Sequence, residues 1–240
     1  MTSSPFPDAG GSAEIARIRN EYARRDREIS RDVYGWGRAV NRYYHCQIYR
    51  HSVAALAREG LFPLDDLAVA DIGCGRGSWL LEFAQWGARA RNLAGIDLAP
   101  DRVEEARQRL PGVDLRAGDA RNTGWASSSF DIVSQFTVFT SVLDAAVKQA
   151  LAAEMLRLVR PSGVILWLDF RFSDPANPHT RGIGREEIRR LFPKCTVRLR
   201  SLILAPPIAR RVVNLSWMLA LALEKIPCLR THYLAIIRKP

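Results

Sequence analysis

The chain has 240 residues, 48% hydrophobic and 25% charged, enough for one domain with a sizeable core and too short for a second domain of ordinary size. Six tryptophans exclude a disordered chain, and 13 prolines and 16 glycines without a period exclude a fibrous one. No run of apolar residues is long enough to span a bilayer and the start MTSSPFPDAGGS is not a secretion signal, so a cytoplasmic protein is expected.

Residues 1–12 are small, polar and Gly/Pro-containing, and are expected to form a flexible tail. From Ala13 the apolar residues Ile15, Ile18, Tyr22, Ile29 and Val33 recur at helical spacing. Tyr34-Gly-Trp-Gly interrupts this pattern, and a second helical stretch runs to Arg58, so residues 13–58 read as an N-terminal helical lid. Residues 59–240 then alternate short apolar runs with helical patterns, the signature of a parallel sheet built from βαβ units. The expected strands are Leu67 to Ile72, Asn92 to Asp97, Val113 to Ala117, Phe130 to Gln135, Val164 to Phe170, Thr196 to Leu204 and about His232 to Arg238. Helices are expected at Gly77 to Ala88, from Pro100, at Asp144 to Val159 and at Arg185 to Leu191, the third stopped by Pro161-Ser-Gly163. The fold class is α/β: a Rossmann-like, seven-stranded, mostly parallel sheet behind a helical lid.

The first strand runs into Asp71-Ile-Gly-Cys-Gly-Arg-Gly77, where glycines let a backbone pass close under a ligand and a helix N-terminus offers unpaired N–H groups. The dinucleotide pattern G-x-G-x-x-G fails here, because Ser78 stands where its last glycine belongs. Asp97 closes the second strand, placed to accept both hydroxyls of a ribose, and Asp119 follows the third, placed to accept the exocyclic amine of an adenine.

Over about residues 65–171 the chain resembles the class I S-adenosylmethionine-dependent methyltransferases, of the small-molecule kind often found in bacterial biosynthetic pathways. The resemblance implies that Asp71, Gly73, Cys74, Gly75 and Gly77 wrap the methionine part of S-adenosylmethionine, whose product is S-adenosylhomocysteine. It also implies that Asp97 with Leu98 holds the ribose, that Gly118, Asp119 and Ala120 face the adenine, and that Gln135 to Thr137 lie near the sulfonium. Leu158 to Gly163 looks like the family's turn before the fifth strand, and the last two strands like its antiparallel edge hairpin. Ser134, Gln135 and Thr137 stand where metal-using members carry carboxylates, so no metal is expected. The Asn/Asp-Pro-Pro signature of amine methylation is also missing.

For a hydroxyl acceptor a proton must be taken up, and the sequence offers His179 first and Asp169 second, with Arg171, Arg181, Tyr34 and Thr137 as acceptor-binding residues. The likeliest acceptors by class are a hydroxyl of a sugar, a glycan precursor or a secondary metabolite; RNA, a membrane-associated lipid or isoprenoid, and an inactive cofactor-binding scaffold are the alternatives.

The formal charge of +10 is concentrated at the C-terminus: residues 181–240 hold thirteen basic and three acidic groups. There an insertion at about 205–229 is expected to carry one helix, Ile208 to Leu223, with Arg210 and Arg211 beside Trp217, Met218 and Leu221. Such a helix packs on its own sheet, on a second copy in a homodimer, or on an anionic lipid surface. Nucleic acid is not expected as a partner. Cys46, Cys74, Cys195 and Cys228 lie far apart and suggest neither a zinc site nor a disulfide framework.

Overall fold

The structure, a computed structural model, describes residues 8–33 and 35–240. Its elements are α1 (Asp8–Glu28), α2 (Ala39–Arg58), β1 (Val69–Ile72), α3 (Ser78–Gln85), β2 (Leu93–Asp97), α4 (Pro100–Arg109), β3 (Asp114–Ala117) and β4 (Phe130–Phe136). There follow α5 (Ala145–Leu158), β5 (Val159–Phe170), α6 (Arg185–Leu191), β6 (Thr196–Leu204), α7 (Pro206–Leu215), α8 (Trp217–Glu224) and β7 (Arg230–Arg238). The sheet has seven strands in the order β3-β2-β1-β4-β5-β7-β6. The first five pair in parallel, and β7 runs antiparallel to both β5 and β6.

Buried apolar runs such as Val69–Ile72 and Leu93–Asp97 suit a sheet covered on both faces, because neither face needs polar residues for solvent. One face packs against α5 and α6 through Val147, Leu151, Met155 and Ile188, and the other against α2, α3 and α4 through Leu56, Leu80, Phe83 and Val103. A smaller cluster, Tyr43, Leu204, Ala209, Val213 and Ala220, seats α7 and α8 on α2 and the edge strand β6. The order of strands reverses between β1 and β4, and the carboxyl ends of these strands open the crevice in which open α/β sheets hold ligands.

Three expectations differ from the structure. Helix α1 begins at Asp8, so the segment expected as a tail is helical from that residue, while residues 1–7 lie outside the described residues. Helix α5 ends at Leu158 and β5 begins at once, with Val159 paired to Phe130; Pro161-Ser-Gly163 falls within the bounds of β5 but in a register irregularity, since the pairing resumes only at Val164 with Ile132. The single helix expected over 208–223 is two helices. Ser216 is extended (φ −158°, ψ 118°), closes α7, and accepts the Leu219 N–H at 3.2 Å as the N-cap of α8.

Candidate functional site

The turn from β1 into α3 is built on three glycines with left-handed φ, Gly73 (+72°), Gly75 (+52°) and Gly77 (+74°). A side chain on Gly73 would place its Cβ 2.3 Å from Val138 Cγ2, whereas one on Gly75 would meet nothing within 4 Å. The first glycine therefore lets the loop after β4 close down, and the second leaves an open backbone surface above the strand ends. The loop is pinned from β2: Gly73 N–H and Cys74 N–H donate to Ile96 O (2.8 and 3.0 Å), and Gly75 N–H donates to Asp97 Oδ2 at 2.9 Å.

Asp97 also accepts the Ala99 N–H on Oδ1 at 2.9 Å, so each carboxylate oxygen holds one backbone donor and keeps a further lone pair. Beneath the loop Asp71 is buried and accepts from Ser134 Oγ at 2.8 Å; burial lifts its carboxyl to about 7. Burial likewise pushes the Cys74 thiol upward, which makes it a packing residue against Gly95. Leu98 and the buried Ala120 line the rim, and Gly118 N–H ties the end of β3 to Asp97 O at 2.9 Å. Asp119 sits beside them, but its carboxylate accepts Arg121 Nη2 (2.6 Å), Arg121 Nε (2.8 Å) and the Arg121 N–H (2.9 Å).

At the end of β4 the backbone is strained. Thr137 has φ +62°, a left-handed conformation costly for a β-branched residue, by about 1–3 kcal/mol. It is held there by its N–H, which donates to Leu168 O at 2.8 Å, and by Gln135, whose Oε1 accepts the Val138 N–H (2.9 Å) and whose Nε2 donates to Leu168 O (3.1 Å). Gln135 is fully buried, so its side chain braces this turn from inside and does not face the crevice.

Asp169 requires a similar correction as a base. It is fully buried and accepts Thr140 Oγ1, Thr140 N–H (3.2 Å) and Phe170 N–H (3.0 Å), with its carboxyl raised by burial to about 7. It fixes the short 3-10 turn Phe139–Ser141 to β5. Arg171 lies over the rings of Phe172 (4.5 Å) and Tyr233 (5.1 Å) and donates to Pro227 O (3.3 Å), while Arg181 is exposed. His179 stands against α1, with Nε2 3.6 Å from Glu21 Oε2. The space between α1, Ser141, His179 and Thr180 is only about 10 Å³, room for about one water. Tyr34 lies outside the described residues.

Two features complete the site, one within the segment expected as a lid (13–58) and one not anticipated from the sequence. Helix α1 lies across the strand ends: Ile18 and Tyr22 pack in one cluster with Leu98, Ala120 and Val138. Tyr22 Oη donates to Ser141 Oγ at 3.3 Å, and Arg102 covers its ring at 4.5 Å. The helix is anchored by Asp26 on Arg102 (2.8 Å) and Arg76 (3.3 Å), and by Arg17 on Ser141 O (2.6 Å).

The second feature is a ladder of rings. Phe136, next to the strained Thr137, stacks on Trp79 (4.2 Å, 13°), Trp79 stacks on His45 (5.4 Å, 9°), and His45 meets Trp36 (4.6 Å). His45 Nε2 lies 3.0 Å from Oε1 of Glu82, a carboxylate itself mostly buried. The local reason is helical spacing: Trp79, Glu82 and Trp86 share one face of α3 at i, i+3 and i+7, and His45 and Tyr49 share one face of α2, with Tyr49 edge-on to Trp86 at 5.3 Å. A glutamate among the apolar residues of α3 was the available signal, but only packing names its partner.

Comparison with known proteins agrees with this geometry. Residues 69–163, from β1 into β5, match the methyltransferase domain family. Demethylmenaquinone methyltransferase of Desulfitobacterium hafniense is 29% identical over 109 residues, covering 43% of this chain and 42% of the relative. Nocamycin O-methyltransferase of Saccharothrix syringae is 33% identical over 111 residues, covering 43% and 38%. The chain thus spans about two fifths of the length of these relatives. Among solved structures, magnesium protoporphyrin IX methyltransferase from Synechocystis PCC 6803, with bound S-adenosylmethionine, superposes with a TM-score of 0.60 at 17% identity over 99% of this chain and 100% of its own. A methyltransferase from Archaeoglobus fulgidus gives 0.58 at 16% identity over 80% and 94%. The match over residues 69–163, the glycine loop and the sheet order agree on the fold of the methyltransferase domain, in which this chain is similar to S-adenosylmethionine-dependent methyltransferases.

Proposed function

We propose that this protein transfers the methyl group of S-adenosylmethionine to a hydroxyl on a small molecule with a planar ring, bound beside the Phe136–Trp79 stack. The residues fit the cofactor: Gly75 presents a backbone surface with nothing above it, and Asp97 keeps one free lone pair on each oxygen for a vicinal diol. Asp71, Gly73, Cys74, Gly77, Leu98, Gly118 and Ala120 complete its surroundings. Asp119 serves there only if Arg121 shares it. Helix α1 covers the same strand ends, so an adenosine is admitted when α1 shifts outward, and its return excludes water; in this sense residues 13–58 contain a lid.

When bound, the cofactor supplies an activated methyl on a sulfonium, so the chain has only to align the acceptor, keep water out and accept a proton. The observation that carries the hydroxyl reading is the His45–Glu82 pair beside Trp79 in the ring ladder. Glu82 Oε1, 3.0 Å from His45 Nε2, favours the proton on that nitrogen, which leaves Nδ1 to take the acceptor's proton. The name of the nocamycin relative supports O-methylation of a small molecule.

The test measures S-adenosylhomocysteine release with a panel of phenols, hydroxyquinones and sugars. His45→Gln is expected to lower kcat by about 10²–10⁴-fold, the usual worth of a positioned base, while S-adenosylhomocysteine binding stays within threefold. His179→Gln is expected to change kcat less than about threefold, because its ring faces α1. Methylation confined to nitrogen or carboxylate acceptors, or an active His45→Gln enzyme, would refute the proposal.

A further inference from the structure

The exposed large apolar residues among those described are not scattered. Of seven, four fall within twelve residues: Leu215 (81% exposed), Met218 (74%), Leu219 (42%) and Ile226 (43%). The break at Ser216 accounts for this. Trp217 turns inward onto Tyr43 (5.3 Å, edge-on), and the neighbouring residues on either side of the break are left at the tip of the α7–α8 hairpin. An isolated exposed leucine is ordinary; Leu215, Met218 and Leu219 flanking one helix junction, with Ile226 past the far end of α8, mark a contact surface.

The charges around this tip have one sign. Arg210 and Arg211 are exposed on α7, and Lys225 is exposed just past α8. From Thr196 to Pro240 the chain carries eight basic residues and one acidic residue, Glu224. Glu224 is buried and occupied by Tyr43 Oη and the Ile203 N–H (3.0 Å), so it neutralises nothing at the surface. Its neighbour His51, 3.9 Å away, leads into a second basic group on the same side of α2: Arg50, Arg58, Arg200 and Arg230. These guanidiniums face one another closely enough that Arg200, already disfavoured by burial, is held below its ordinary value by the other three.

We propose that the α7–α8 hairpin docks the protein on an anionic lipid surface, with Leu215, Met218 and Leu219 entering the headgroup–acyl boundary and Arg210, Arg211 and Lys225 meeting lipid phosphates. Charge complementarity selects this occupant. A second copy bound isologously would bring the same cations face to face, whereas an anionic bilayer offers phosphates at the rim and apolar depth at the centre. Among the described residues no helix is long and apolar enough to cross a membrane, so the contact is peripheral. The segment after α8 is tied to the loop after β5, where Arg171 donates to Pro227 O at 3.3 Å. The proposal makes no assumption about the reaction catalysed.

The test is flotation of the full chain with phosphatidylcholine vesicles, with and without phosphatidylglycerol, at low and high salt, alongside light scattering without lipid. Binding is expected only to the phosphatidylglycerol vesicles, weakening with salt. Arg210→Gln with Arg211→Gln should lower partition about 25-fold, at about fivefold per cation, and Leu215→Asp with Met218→Asp should abolish it. The substituted side chains are exposed, so thermal midpoint and S-adenosylhomocysteine binding, both unchanged, report that the variants are folded. Equal binding to both vesicles, binding to neither, or a dimer in solution that Leu215→Asp dissociates would overturn the proposal.

Discussion

Replacing Asp97 by Asn tests the cofactor site at its most constrained atom pair. The carboxylate accepts Gly75 N–H on one oxygen and Ala99 N–H on the other, both at 2.9 Å, and in the proposed binding mode its remaining lone pairs take the ribose hydroxyls. An amide has one oxygen and one NH₂, so in either orientation one backbone N–H and one ribose hydroxyl face a donor. A hydrogen bond to a charged acceptor contributes about 1.5–3 kcal/mol, so losing one at the ribose raises the Kd for S-adenosylhomocysteine about 10–150-fold. Asp97→Ala removes both and should raise it by about 10²–10⁴-fold. The backbone N–H left without a partner is a separate cost, about 1–3 kcal/mol of stability, with the glycine loop loosened from β2. Calorimetric titration gives the first quantity and thermal unfolding the second. A Kd within threefold of wild type in a folded Asp97→Asn protein would refute the ribose assignment, even if activity were lost.

Two further predictions concern buried carboxylates that titrate in opposite directions. Although burial pushes Glu154 upward, hydrogen bonds from Arg157 and from Thr123 hold it below its ordinary value, so its stabilisation is present above the unfolded pKa and is lost as pH falls through the folded one. Glu154→Gln should lower the thermal midpoint at neutral pH by about 3–12 °C and flatten the acid limb of the stability curve, which melts across a pH series would show. Burial lifts Asp169 from 3.8 to about 7, so its contribution is complete below 3.8 and fades as pH rises through about 7. Asp169→Asn should therefore shrink the loss of thermal midpoint between about pH 4 and pH 7; an unchanged loss over that range would count against that buried carboxyl.

Much of this molecule was legible along the chain because its signals are local. The glycine loop needs only the φ freedom of residues 73–77, and Asp97 ends a strand whose buried apolar run is visible as such. Strand Thr196–Leu204 and helix Arg185–Leu191 follow from periodicity and were placed to the residue. Boundaries moved where a local signal had a tertiary answer: Val159, expected as the last residue of a helix, pairs with Phe130 and so opens β5 ahead of the irregularity at Pro161-Ser-Gly163.

Side-chain roles were less legible. Asp169 and Gln135 have residue types suited to chemistry and stand at strand ends, but in both the side chain is spent on nearby backbone groups, N–H donors for Asp169 and one N–H and one carbonyl for Gln135. His45, unremarkable between Tyr44 and Cys46, gains its carboxylate and its stacked ring from α3, more than thirty residues away in the chain. The sequence by itself therefore determined the sheet and the glycine loop, because backbone propensity and hydrophobic pattern are set by neighbours in the chain, and its resemblance to a family pointed to the cofactor. Which carboxylates are free, which histidine is oriented and which apolar residues remain outside were decided only by tertiary structure. Hydrogen-bond partners and solvent exposure depend on what other segments bring to each side chain.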